Sequence, residues 1–573
     1  MSLTRRDLLA RAGASAAGAG LLAAWPAEAS SGADAALHAL FDLLQAERKA
    51  DPSSAARHAR LLAEFPAEGL SPVRALDRQA VLFMLEGEAT AAARFPWGVT
   101  GGRFTPYVLT HLQGAHVTAP AQLEKQAAIA SAAEAEAWLA RLRGFAATLD
   151  QETVRAREAA GEGRVPPAFI LDLTLDRLSS LRTALGEGSP LPGRFGDAAT
   201  AAGLDGAALS ARARRLLADE IAPALARQVE LLASQRASSG GNGVGGLRDG
   251  DAYYATALAT LCTTPITPEE AHTLGLRWAG ELTAETDRAL RVAGLGDGGV
   301  GERLAALATD PRHLYADTAE GRARAVADMN ARLGAIRPRL PALFGPLPQG
   351  PIDIRRLSDE EERQGVQGWR LNPSFDGTKP GAYYVDLARI RDRPVWSLPT
   401  VVDHETVPGH LLQSALQDRA APHPLRAQLA SPGASLEGWS IYAQRLGDEM
   451  GLYADDPLGR VGYLQSLLFR TARLVADTGI HAKGWGREKA VDYMVGLTAE
   501  TRDVVEKEVA RAFVLPGHVA APMVGYDRHV AFRDAAARAA GPRFDLKSFH
   551  DAILAPGPLP LAVLERHLTS SRT

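Results

Sequence analysis

The sequence predicts a mainly α fold, a large multi-helical body with a small β-hairpin or sheet next to the helix that carries its chemistry. Three observations carry that expectation. Apolar residues recur at threes and fours through nearly all of residues 33–236, amid Ala, Leu, Arg and Glu, which is the period of amphipathic helices. Helix-start signals continue downstream, as in Thr267-Pro268-Glu269-Glu270, where a capping Thr precedes Pro and two acidic residues. Strand-like alternation, by contrast, clusters in two short runs just ahead of residue 400.

Residues 1–29 read as an export signal. Arg5-Arg6 precede a weakly apolar Ala/Gly/Leu run, and Ala27-Glu28-Ala29 matches a small-x-small cleavage site. The paired arginines predict twin-arginine export to the periplasm or beyond, with an ordinary secretory leader as the alternative. No cysteine stands at the cleavage site, which argues against a lipid anchor. No later stretch has the roughly 18 apolar residues of a membrane helix, so no stable membrane insertion is expected once the signal is removed.

Composition narrows the chemistry. With 63 basic and 67 acidic residues the net charge is only −4, which gives no reason to expect a nucleic-acid partner. Cys262 is the only cysteine, so an internal disulfide and a multi-cysteine zinc site are both excluded. Any metal must be held by His and carboxylate. The 573-residue chain, 46% hydrophobic, has material for a large core over residues 30–573, in one domain or two intimately packed parts.

Within residues 33–236, the stretches 122–149 and 197–232 are the clearest helices. Residues 172–178 alternate like a strand, but their surroundings favour a helix. Residues 237–251 are the most glycine-rich segment and predict a loop. No Gly-Lys-Ser/Thr follows it, so a phosphate-cradling role is unsupported. From about residue 252 a second, catalytic part begins. Tyr253-Tyr254 open one helix, and the helix after Thr267 contains His272, read as a structural histidine more readily than a ligand. Residues 352–357 and 382–387, the latter including Tyr384, are the strand candidates. Such a strand pairs with an extended peptide or simply covers the core.

The centre of the pattern is His404-Glu405-Thr406-Val407-Pro408-Gly409-His410. Two histidines with a glutamate beside the first are the means by which zinc hydrolases supply two ligands and a general base from one element. The familiar second position falls on Pro408, however. At roughly 100° per residue, His404 and His410 would stand about 120° apart on an ideal helix, too far round to share an ion. Proline removes the amide that would bond to the His404 carbonyl, so a break eased by Gly409 can bring His410 back. Otherwise the histidines are unrelated and Pro408-Gly409 merely ends a helix.

Glu437, opening an amphipathic helix over 437–446 that also bears Trp439 and Tyr442, is the best third ligand. Its alternative is a first-turn acid complementing the helix dipole. In the resulting site His404, His410 and Glu437 hold one zinc ion, and Glu405 serves as base. Asp403 and Gln413 are candidates to orient the ligands. Arg470, Arg473, Asp477 and His481 follow at helical spacing. They read either as a face that binds a substrate carboxylate or an oxyanion, with Arg473 or His481 as catalytic donor, or as a ladder of internal ion pairs.

At these residues the chain resembles the bacterial domain-of-unknown-function 885 (DUF885) family, a group similar to zinc metallopeptidases of the His-Glu type. The resemblance is carried by residues 263–272, by His404 to Gln413 with its Pro-Gly-His, by Glu437-Gly438-Trp439, by residues 473–481 with Trp485, and by Phe549-His550-Asp551. It implies a largely helical, peptidase-like fold with His404, His410 and Glu437 on the metal and Glu405 as base. Two departures stand out. Leu411 replaces a frequent second His, and residues 518–525 lack a Gln and a Tyr-Lys pair, leaving His518 or Tyr526 to substitute. The expected function is hydrolysis of peptide or small amide substrates. A metal-free peptide-binding protein and a hydrolase of non-peptide amides or esters are the rivals.

Overall fold

The computed structural model describes residues 32–570 apart from 52, 101–102, 126–128, 242 and 430–432. The expected leader lies outside the described residues. Among the described residues the chain is helical almost throughout, as its periodicity requires, with two small sheets. None of its helices, among the described residues, is long and apolar enough to cross a membrane.

The N-terminal part has its own core. Helices Ala132–Gly161, Ala168–Ala184, Leu191–Ala201, Gly206–Leu216 and Ala222–Gln235 close around Leu142, Leu149, Leu178 and Ile221, with Trp138 stacked on Phe195 at 4.1 Å. Residues 172–178 are helical, as their surroundings imply. Two expected helices are divided. The run 122–149 belongs to Ala115–Lys125 and Ala132–Gly161, because the Ser131 hydroxyl accepts the Glu134 amide and starts a new helix. The run 197–232 breaks at Gly203, in the left-handed region at φ +77°, and restarts at the Asp205 cap.

The glycine-rich segment is a loop with short 3-10 turns that ends at a helix beginning at Gly250. Its glycines are needed for close approach, since a Cβ on Gly243 would lie 2.6 Å from the His481 ring.

The second part holds the larger core, and the helices that build the site are labelled here. They are α1 (Pro268–Val292), α2 (Leu398–Glu405), α3 (His410–Ala420), α4 (Gly433–Glu449), α5 (Pro457–Ala482), α6 (Arg502–Val514) and α7 (Ala521–Ala540). α1 starts with a capping box, Thr267 and Glu270 each bonding the other's amide. α4 and α7 cross where Gly438 meets Gly525; a Cβ on Gly438 would fall 2.5 Å from the Gly525 carbonyl carbon.

Strands β1 (Val99–Thr100) and β2 (Arg103–Phe104) form a hairpin that the sequence did not signal. Beside α2, β3 (Ile352–Arg356) pairs in parallel with β5 (Gly381–Val385), and β4 (Trp369–Leu371) pairs antiparallel on the other side of β5. β3 and β5 are the two expected runs. β4 is additional and forms an edge of the sheet.

Candidate metal centre

α2 stops where Thr406 leaves helical geometry, at φ −106° and ψ −115°. Pro408 cannot carry the hydrogen-bond ladder onward. Gly409 folds directly over the helix end, where a Cβ would lie 1.9 Å from the His404 carbonyl oxygen. The Thr406 carbonyl accepts the Leu411 amide at 3.0 Å, and the buried Trp439 indole donates to the Pro408 carbonyl at 3.0 Å. The break is therefore held on both sides, and α3 restarts at His410.

This break brings the two imidazoles edge to face, with ring centroids 4.9 Å apart. The Nε2 atoms of His404 and His410 each lie 3.4 Å from a different oxygen of Glu437. Zinc with bonds of about 2.0–2.1 Å in tetrahedral geometry spaces its donors roughly 3.3 Å apart, so these atoms stand at ligand spacing. His410 Nε2 is buried and has no hydrogen-bond partner among the described residues, its near polar neighbour being the Glu437 carboxylate. The donor set thus fits zinc. The Glu437 side chain keeps 37% of its surface exposed, so the site opens to solvent on that side.

The tautomer of His404 is fixed by a residue that sequence reasoning missed. Gln444 spends its amide N–H groups on the Thr400 hydroxyl at 2.5 Å and the Ser466 hydroxyl at 3.0 Å, which turns its carbonyl to His404 Nδ1 at 3.2 Å. Nδ1 then carries the proton and Nε2 is free for a metal. Gln444 lies two turns along α4 from Glu437, on the same face; that seven-residue spacing was the signal available.

Electrostatics agree with the geometry. Burial pushes the Glu437 carboxyl up, but the two imidazoles outweigh it and hold the group well below its usual value. Burial likewise favours a neutral Glu405, and His404, Arg370 and His410 reverse that, leaving it below the ordinary range. Burial pushes His410 down.

Glu405 makes no ion pair with the ligand set among the described residues and pairs with Arg370 of β4, while both imidazoles act on its charge. Arg370 had no sequence signal, since β4 is only three residues long. Arg370 and Tyr383 are register partners and share the face toward Glu405. Tyr384 is on the opposite face, stacked on Trp369 at 4.0 Å, so the tyrosine expected near the site is corrected to Tyr383.

Other expected roles also change. Asp403 does not orient the histidines; it is fully buried and accepts two bonds from Arg332, at 2.7 and 3.0 Å, and one from the Tyr453 hydroxyl at 2.8 Å. It lies about 100° round the helix from His404 and so faces the other way. Gln413 is buried, with its Oε1 unpartnered and no bond to either histidine. Trp439 is fully buried and holds the chain break rather than substrate. Tyr442 is buried against His550 and Arg533.

On α5 the expected common face divides. Arg470 reaches the site, with Nη2 3.4 Å from His404 Nδ1, anchored by the Ser466 hydroxyl at 2.6 Å. Burial pushes its guanidinium down to about 10. Arg473 lies 3.0 Å from Glu508 of α6. Asp477 instead accepts the Tyr254 hydroxyl at 2.7 Å and the Gly517 amide at 3.0 Å, and burial pushes it up to about 7.

His481 is no catalytic donor. Its Nδ1 accepts the Val244 amide at 3.1 Å and its Nε2 donates to the Ala512 carbonyl at 2.9 Å, so both nitrogens are spent on the fold. His272 Nδ1 meets the Thr478 hydroxyl at 2.8 Å, in keeping with a structural histidine. His518 is exposed beside Arg511, whereas Tyr526 is buried against Trp278.

A second group, His38, Asp42 and His423, also brings possible ligands together. There the Leu425 amide donates to His423 Nδ1, so Nε2 carries the proton that bonds Asp42 at 3.2 Å. That arrangement is a hydrogen bond, not a vacant lone pair.

Fold and site define a largely helical protein with a two-histidine, one-glutamate candidate metal centre. The chain belongs to the family described as "Bacterial protein of unknown function (DUF885)", whose family model matches residues 26–568. No curated protein sequence matches it. It is similar to a solved structure described as the "putative lipoprotein from Colwellia psychrerythraea", at 25% identity and TM-score 0.79 over 93% of this chain and 90% of that one. A solved structure described as "a putative lipoprotein of unknown function from Shewanella oneidensis" shares the fold at 17% identity and TM-score 0.69, over 91% of this chain and 92% of that one.

Proposed function

We propose that this protein is an exported zinc-dependent hydrolase of peptide amide bonds, with one zinc per chain. The observation that carries the reading is the donor spacing of His404, His410 and Glu437 around an unpartnered imidazole nitrogen, with the non-ligand Glu405 beside them. Zinc held there would supply Lewis-acid activation of water and of the scissile carbonyl. The remaining work falls to the chain. Glu405 accepts a proton from the attacking water and passes it to the amide nitrogen as the C–N bond breaks, yielding a carboxylic acid and an amine. Gln444 keeps His404 in the ligating tautomer. β4 is an edge strand whose Arg370 touches Glu405, so an extended peptide added to that edge runs past the site. Export is supported by the Arg5-Arg6 leader pattern and by the lipoprotein descriptions of both similar structures.

The test is cleavage of a mixture of short peptides by the zinc-loaded mature chain, read by mass spectrometry. Cleavage should vanish with chelator and return with equimolar zinc. Peptide binding without turnover, indifferent to chelator, would favour a metal-free binding protein; turnover confined to esters or non-peptide amides would reassign the substrate.

A further inference from the structure

Beside the metal centre lies a basic cluster in which a single ion pair, Arg473 with Glu508, offsets part of the charge. Arg473 pairs through Nε with Glu508 at 3.0 Å, yet its guanidinium hydrogen-bonds no described residue, and 17% of the side chain stays exposed. Arg511 of α6, half-buried, has only the His518 ring in hydrogen-bond range among the described residues, at 3.4 Å. Arg103, exposed on the β1–β2 hairpin, makes no ion pair among the described residues. Glu508 and Arg511 stand three residues apart on one face of α6, so the Arg473–Glu508 pair and the Arg511–His518 contact bring two guanidinium groups to one place, and His518 feels the charge of both and of Arg103. Two guanidinium groups therefore lie together beside one imidazole, and Glu508 is the one carboxylate in ion-pair range of them among the described residues. Such forks match a carboxylate ligand in charge and shape.

The place of the cluster fixes what the carboxylate is. Arg473 is three residues along α5 from Arg470, which touches the metal ligand His404. That is a rise of about 4.5 Å, comparable with one or two residues of extended peptide at roughly 3.5 Å each. We propose that Arg473 and Arg511 bind the C-terminal carboxylate of the substrate, so that the enzyme removes one or two residues from the C-terminal end. The proposal rests on the hydrolase reading above and adds its direction of attack.

The experiment offers the zinc-loaded chain an equimolar set of neutral hexapeptides as free acids, the same set as C-terminal amides, and amides carrying one internal Asp. Free acids should be shortened from the C-terminus on the order of 10–100-fold faster than either amide set. Arg511→Ala, and separately Arg473→Gln, should bring that ratio close to one while zinc content stays unchanged. Equal rates for acids and amides, or first products from the N-terminal end, would overturn the proposal. Rescue by the internal Asp would reassign the cluster to an acidic side chain. If zinc is bound but nothing is cut, the hydrolase reading fails, and calorimetry with the same peptides judges the cluster alone: tighter binding of acids than amides, lost in Arg511→Ala, upholds carboxylate capture, and equal binding rejects it.

Discussion

Glu405→Gln should lower peptide hydrolysis by on the order of 10²–10⁴-fold while zinc remains bound. Glu405 follows His404 at the end of α2, and its carboxylate pairs with Arg370 rather than with any of the three ligand side chains. Gln keeps the size of the side chain and an oxygen for Arg370 to bind. It loses the capacity to take a proton from water. The three ligand side chains are untouched, so the metal content should equal that of the native chain. Rate measurements beside elemental analysis separate the two effects. A variant that keeps its rate would move the base to another group, and one that loses zinc would make Glu405 a ligand.

The largest expected effect on stability is at a residue that touches no ligand. Arg332→Ala should destabilise the protein by about 3–5 kcal/mol, because it strands a fully buried Asp403 with only the Tyr453 hydroxyl left to it. Burial disfavours the Arg332 charge, and Asp403 outweighs that, so each ion depends on the other. Denaturant unfolding of Arg332→Ala beside Arg332→Ala/Asp403→Asn checks the cause, since neutralising the stranded carboxylate should recover much of the loss. The exposed pair Arg227–Asp150 is the control, with an expected cost below about 1 kcal/mol on removal of either partner. A loss at Arg332 no larger than the control's would show that Asp403 does not depend on its buried partner.

The difference between what could be read in advance and what could not follows from the range of each interaction. The helix break was legible because it is local: Pro408 and Gly409 act on the His404 carbonyl within six residues. Glu437 was legible because a Glu on a separate downstream helix is the usual complement to a His-Glu pair with a second His. Which face of an element meets the site is decided by tertiary packing, and there the reading failed. Alternation placed Tyr383 and Tyr384 on opposite faces but could not say which face meets α2. The four-residue spacing of Arg473, Asp477 and His481 was read correctly as helical, yet α5 is buried on more than one side, and Asp477 and His481 serve the core. Arg370 was beyond reach because its strand has no period of its own. The division at Ser131 was available, in the Ser131-Ala132-Ala133-Glu134 capping pattern, and was passed over.

The central claim is that His404, His410 and Glu437 form a zinc site, and elemental mass spectrometry of the mature protein beside His404→Ala tests it most directly. The account predicts about one zinc per chain in the native protein and loss of that zinc in the variant, with the fold retained by circular dichroism. A well-folded native protein that takes up no zinc when the metal is supplied, or a His404→Ala variant that keeps its full zinc content, would contradict it.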